Sequence, residues 1–157
     1  MSENLPRISH ARGRGQMNHN NRVHVYDNVD SSRTKDNITY IKEGLDTAYE
    51  KCFGEAQRAY DAKQTREDRK VFDYYTHLFS EALKNSVAKA PKGQSSYSEL
   101  VVGIGDKKTC PVGSERGTLA KEILDKYMKG FQARNPNFYV FNAVLHLDEK
   151  TPHLHIN

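Results

Sequence analysis

The stretch from Phe138 to Leu147 alternates with a period of two, and no other feature constrains the fold as tightly. In an extended chain Tyr139, Phe141, Ala143, Leu145 and Leu147 share one wholly apolar face. Phe138, Val140, Asn142, Val144 and His146 share the other, which grows more polar toward its end. Asp148 to Pro152 is rich in turn formers, and His153, His155 and Asn157 then alternate with Leu154 and Ile156. Read as a hairpin, the two strands bring Leu154 and Ile156 onto the apolar face. His146, His153 and His155 then emerge together on the opposite one. A sheet with one apolar face needs helices to cover it.

Three segments carry the helical period. Ile41, Leu45, Ala48, Tyr49, Cys52, Phe53, Ala56 and Tyr60 recur at three- and four-residue steps. Val71, Tyr74, Tyr75, Leu78, Phe79, Ala82, Leu83 and Val87 do the same, and so do Leu119, Ile123, Leu124, Tyr127, Met128 and Phe131. Asn135-Pro136-Asn137 ends the third helix, because proline cannot continue it. Further strands are expected at Arg22–Tyr26 and Tyr97–Ile104. The fold class that follows is α+β: a mostly antiparallel sheet with helices packed on one face. The polar, glycine-containing run from Gly105 to Thr118 is a long connection or a lid over a ligand.

A chain of 157 residues is one domain with room for a real core. Its mean hydropathy of −0.83 demands a heavily polar surface. The net charge of +4 permits a polyanionic partner without requiring one. Its distribution says more: no acidic residue lies between Glu3 and Asp27, a window that holds Arg7, Arg12, Arg14 and Arg22. Such a stretch is a solvated tail or a phosphate-binding arm. Lys63, Arg66, Arg69 and Lys70 fall within two turns of an expected helix, with Arg66 and Arg69 on one side. Glu67 and Asp68 lie between them, so a salt-bridged surface competes with polyanion binding there. Cys52 and Cys110 follow no disulfide or metal spacing, which fits a reduced, cytoplasmic protein. No apolar run approaches the roughly 18 residues that span a bilayer.

Three imidazoles on one face of a hairpin suit capture of a divalent cation, with coordination positions left for substrate. A single histidine on a sheet is usually just a satisfied polar residue, but three beside two carboxylates are harder to dismiss. Asp148 and Glu149 could orient imidazole N–H groups, move a proton, or simply make the turn; Glu149 is the better placed for chemistry.

The pattern His146-x-Asp148-Glu149-x-x-Pro152-His153-x-His155 resembles the metal-binding motif of the Mob/Pre plasmid mobilization relaxases, the MobV group of HUH endonucleases. His19-Asn20-Asn21-Arg22, followed by Arg33-x-x-x-Asn37, is similar to that family's N-terminal motif. Lys63-Gln64-x-Arg66-x-x-Arg69 is similar to a basic stretch on a family helix that faces DNA. The resemblance implies an HUH-type relaxase domain over residues 1–157, the N-terminal part of a longer protein. It implies site- and strand-specific nicking and joining of DNA at a plasmid origin of transfer, single-stranded or hairpin, through a covalent 5′-phosphate intermediate. It leaves room for a homodimer formed through segments beyond this chain.

The resemblance assigns His19 as nucleophile beside a divalent ion, Mn²⁺ or Mg²⁺, on His146, His153 and His155. Arg22 suits holding phosphate, because its planar fork matches two oxygens, and Glu149 is the candidate for assisting the chemistry. Arg7, Arg12, Arg14, Arg33, Asn37, Lys63, Arg66 and Arg69 become DNA contacts. Many other HUH enzymes use tyrosine, and Tyr26 and Tyr40 are available here. The alternatives are a rolling-circle replication initiator of the same endonuclease class, a small-molecule metallohydrolase, and a DNA-binding module with structural histidines.

Overall fold

The computed structural model describes residues 5–79, 84, 86–90 and 93–157. Five strands form one sheet: β1 (Ile8–Arg12), β2 (Ile38–Lys42), β3 (Leu100–Ile104), β4 (Asn142–His146) and β5 (His153–Ile156). Their spatial order is β1-β3-β5-β4-β2, and every neighbouring pair is antiparallel. The predicted hairpin is therefore β4–β5, with β5 at the centre of the sheet, but its first strand spans only Asn142–His146 of the Phe138–Leu147 expected, and Phe138 and Tyr139 are exposed. Its register places Leu145 opposite Leu154 and Ala143 opposite Ile156. His146 stands opposite His153, and Val144 opposite His155.

The apolar face is covered by α4 (Glu115–Lys129) and α5 (Phe131–Arg134). Ala120, Leu124 and Met128 recur every four residues and pack with Phe131 against Val102, Leu145, Leu154 and Ile156. Ser114 caps α4 by accepting from the Gly117 amide at 3.0 Å. Gly117 is needed where it sits, because a Cβ would run into the carbonyl of Pro111. Burial of each leucine side chain in this layer is worth roughly 1.5–3 kcal/mol.

A second apolar cluster joins α2 (Leu45–Asp61), α3 (Tyr74–Leu78) and the one-turn α1 (Met17–Asn20). Leu45, Ala48, Tyr75 and Phe79 meet Met17, Tyr97 and Phe141 there. Met17 thereby fixes α1, which carries His19 and Asn20.

Several sequence expectations change. Arg22–Tyr26 forms no strand: Arg22 has φ +54°, and Val23 is 63% exposed. Its alternation had no buried face to serve, and a strand without one gains little. Ile41 belongs to β2 rather than to the first helix, which begins at Leu45. The second helix is short: Phe79 is already extended, and Ala82 and Leu83 lie outside the described residues. Lys63, Arg66 and Arg69 do not share a helix, since α2 ends at Asp61 and only Glu67–Arg69 forms a 3₁₀ turn.

Candidate metal centre

The polar face of the β4–β5 hairpin brings His146, His153 and His155 together. Ring centroids lie 5.3 Å apart for His146–His153, 4.7 Å for His146–His155 and 5.1 Å for His153–His155. Each ring spends one nitrogen on an oxygen acceptor. His146 Nε2 donates to the Asn20 carbonyl, His153 Nδ1 to the Thr151 carbonyl and His155 Nδ1 to Glu99 Oε1, each at 2.8 Å. These bonds set the tautomers, because a ring nitrogen facing a carbonyl or carboxylate must carry the proton. The opposite nitrogens are then lone pairs. His146 Nδ1 and His155 Nε2 are buried without a hydrogen-bond partner, an arrangement that is costly unless a donor or a cation meets the lone pairs. Burial pushes the His146 imidazole down to about 2 and lowers His153 as well, so both stay neutral. Neutral rings with fixed tautomers are what a divalent cation needs.

His19 joins this cluster from α1. Its ring lies 5.8 Å from those of His146 and His155, and Tyr26 meets its edge at 5.1 Å. Burial, with the nearby Arg22 charge, holds its imidazole below the ordinary value. Glu149 Oε1 stands 3.4 Å from His19 Nε2 and 3.8 Å from both His146 Nδ1 and His153 Nε2. The donor atoms fall into two tight groups that share His146: His19, His146 and His155 in one, His146, Glu149 and His153 in the other. The three expected ligands are thus divided between the groups, and His19 and Glu149 enter as further donors.

Arg22 is placed differently from the sequence expectation. Its guanidinium grips Asp148 at 2.9 and 2.6 Å and Glu149 at 2.9 Å, and also donates to the His19 carbonyl at 3.0 Å. A fork already filled by two carboxylates orients the site and is not free to cradle phosphate. Asp148 is fully buried and also accepts from Thr34 Oγ1 and Asn37 Nδ2. Burial alone would raise its carboxyl, but these donors, Arg22 first, hold it well below the carboxylate range. Asn37, expected at DNA, is turned inward: its Oδ1 accepts the Leu147 amide at 2.7 Å and its Nδ2 binds Asp148 at 2.8 Å. The paired use of both amide ends makes it a brace for the turn.

The remaining basic residues are dispersed. Arg7, Arg12 and Arg14 are exposed on and beside the edge strand β1, and Arg33 is half-buried. Lys63, Arg66 and Arg69 are exposed, with Arg66 paired to Asp68. A cavity of about 300 Å³ opens beside His19 and His155, flanked by Arg14, Gln16, Tyr26 and Asn28.

Sequence reasoning missed Glu99 and Thr34, and it named Asn20 only within the His19–Arg22 motif, without a role. One signal was present for Glu99. It lies at even spacing from Val101 and Gly103, which pair with His155 and His153, so an acid was written onto the histidine face of an apolar strand.

A family profile described as "Mob_Pre: Plasmid recombination enzyme" matches residues 15–157. Two solved structures share the fold. Both are named "MobM Relaxase Domain (MOBV; Mob_Pre) bound to plasmid pMV158 oriT DNA (22nt)", Mn-bound, one at pH 5.5 and the other at pH 4.6. Each is 19% identical with a TM-score of 0.50, and the alignment covers 95% of this chain and 68% of that one. No curated protein matches the sequence.

Proposed function

The chain belongs to the plasmid recombination enzyme family, Mob_Pre, and from that premise we propose that it is a relaxase that nicks and rejoins one strand of DNA at a plasmid origin of transfer. One observation carries the reading: the imidazole lone pairs of the HUH-type hairpin gather on one face with His19 beside them. The neighbours of like fold hold Mn and origin DNA, and the donor set here fits the same kind of ion. His146 Nδ1, His153 Nε2 and His155 Nε2 would hold it. When bound, a divalent cation polarises the scissile phosphate and offsets the charge that gathers on it.

The chain's own residues supply the rest. His19, kept neutral by burial, has a lone pair for attack on phosphorus. Glu149, 3.4 Å from Nε2, is placed to hold or accept the ring proton while Nδ1 attacks. Arg22 fixes Glu149 and, through the His19 carbonyl, the end of α1. The N–P bond forms as the P–O3′ bond breaks, and the proton leaves with the 3′-hydroxyl. The 5′-phosphate remains on His19 as a phosphoramidate, whose stored bond energy allows resealing. Tyr26 adjoins His19 and is the competing nucleophile. Tyr40 is a poor one, since its hydroxyl is committed to Asp125 on the helical side of the sheet. Arg7, Arg12, Arg14, Lys63, Arg66 and Arg69 supply phosphate contacts, and Arg33 a further one. Among the described residues no helix is long and apolar enough to cross a membrane. Plasmid DNA as substrate places the reaction in the cytoplasm.

The experiment is direct. Supercoiled plasmid bearing a cognate origin is incubated with the protein and Mn²⁺ or Mg²⁺. Relaxed circles carrying protein at the 5′ end are expected. The adduct should hydrolyse in acid and vanish in His19→Ala. An acid-stable adduct that persists in His19→Ala moves the assignment to Tyr26.

A further inference from the structure

We infer that Glu99 is a positioning residue that sets the tautomer of His155 and clamps the helix carrying His19 against the metal-binding hairpin, a role that rests on the metal reading above. Glu99 is only 5% exposed, just ahead of β3. Its Oε1 accepts His155 Nδ1 at 2.8 Å and the Asn20 side-chain amide; its Oε2 accepts the Gly15 backbone amide at 2.7 Å. A carboxylate taken this far out of water is tolerated because three donors converge on it.

Two consequences follow for the site. First, His155 gives its Nδ1 proton to a carboxylate, so Nε2 is the lone pair, and it is the buried, unpartnered atom that faces the cluster. A carboxylate behind an imidazole fixes the ring plane and makes the far nitrogen a better donor. Second, Asn20 ties α1 to two histidines at once. Its side chain reaches His155 through Glu99, and its carbonyl accepts His146 Nε2 at 2.8 Å. His19 is the preceding residue, so the distance from nucleophile to cation rests on this clamp.

The local sequence is shaped around the same carboxylate. A Cβ on Gly13 would overlap the Glu99 carboxylate, and Gly15 turns its amide toward Oε2 at φ +66°, a conformation that favours glycine. Gly13-Arg14-Gly15 therefore reads as a cradle for Glu99, where the sequence alone offered a solvated tail or a phosphate-binding arm.

Two measurements test the inference. Long-range ¹H–¹⁵N NMR of the metal-free wild-type protein should show His155 as the Nδ1–H tautomer; an Nε2–H ring overturns the proposal, whether or not the protein binds metal. Isothermal titration with MnCl₂ should then give roughly 10–100-fold weaker binding for Glu99→Gln at unchanged circular dichroism. Gly13→Ala, which displaces the carboxylate without replacing it, should weaken Mn²⁺ binding in the same direction and serves if Glu99→Gln does not fold. Wild-type affinity in a folded variant overturns the role. Wild-type protein that binds no Mn²⁺ defeats the metal reading instead, and the tautomer still decides whether Glu99 sets His155.

Discussion

The β4–β5 hairpin and the segment from residue 62 to 72 both carry residues whose spacing suggested function, yet only the hairpin has the geometry its spacing implied. In the hairpin every position is committed to one of two environments. Leu145 and Leu154 pair beneath α4, while His146 and His153 pair on the opposite side. A slip of one residue would drive imidazoles into the apolar core and leucines into the polar site, so register is over-determined. The basic segment has no such constraint. Arg66 pairs with Asp68 and Lys70 with Glu67 at the surface. The chain path is set instead by Asp61, which accepts the amides of Val71 and Phe72. Periodicity predicts geometry where burial enforces it, and charge spacing on a solvated surface does not.

The sharpest way to break this contrast is to remove the charge that grips the hairpin's turn. Arg22→Ala leaves the fully buried Asp148 with neutral donors only. We expect a loss of about 3–5 kcal/mol in urea unfolding, the usual consequence of stranding one partner of a buried ion pair. A loss below about 1 kcal/mol, the range of exposed pairs, would erase the distinction between the two regions. Next in size is Leu154→Ala on the opposite face, expected to cost about 3 kcal/mol through lost burial and the cavity left behind. The folded variant should bind Mn²⁺ as the parent does. If it binds much more weakly, the two faces are not independent and the contrast between them is too simple.

How much was legible follows the same line. The hairpin, the α4 stripe and the convergence of His146, His153 and His155 could be read because period two or period 3.6 coincided with burial. The strands β1 and β2 could not. Every residue of β1 is exposed, so no alternation marks it, and a register irregularity between Thr39 and Ile41 breaks the period of β2. The donors around Asp148 and Glu99 were hidden for another reason. Periodicity names the face a residue occupies, but a hydrogen-bond partner some hundred residues away leaves no local trace. Asn37 shows the difference, having been read as a DNA contact although both ends of its amide hold the 147–148 turn. Asn37→Ala should therefore cost about 1.5–3 kcal/mol, the range for a lost bond to a charged group, in the same denaturant titration. A neutral effect on stability with weaker DNA binding would restore the sequence reading.

The smallest effect on folding, and the cleanest test of the other region, is Arg66→Ala. Its side chain is exposed and its partner Asp68 is two residues away and equally solvated, so stability should change by no more than about 0.5 kcal/mol. Its contribution to DNA binding is a separate quantity. If the guanidinium leaves Asp68 for a phosphate, log Kd against log salt should lose about 0.7–0.9 of slope, with weakening that is uniform across DNA sequences. The same measurement on Arg69→Ala asks whether the segment acts as a unit. On one helical face the two arginines would track neighbouring phosphates and their losses would be alike. On the observed 3₁₀ turn they need not be, because Arg66 must first give up an ion pair and Arg69 has no such exchange among the described ion pairs. A larger loss for Arg69→Ala than for Arg66→Ala favours the observed turn, and matched losses favour a helix formed on DNA.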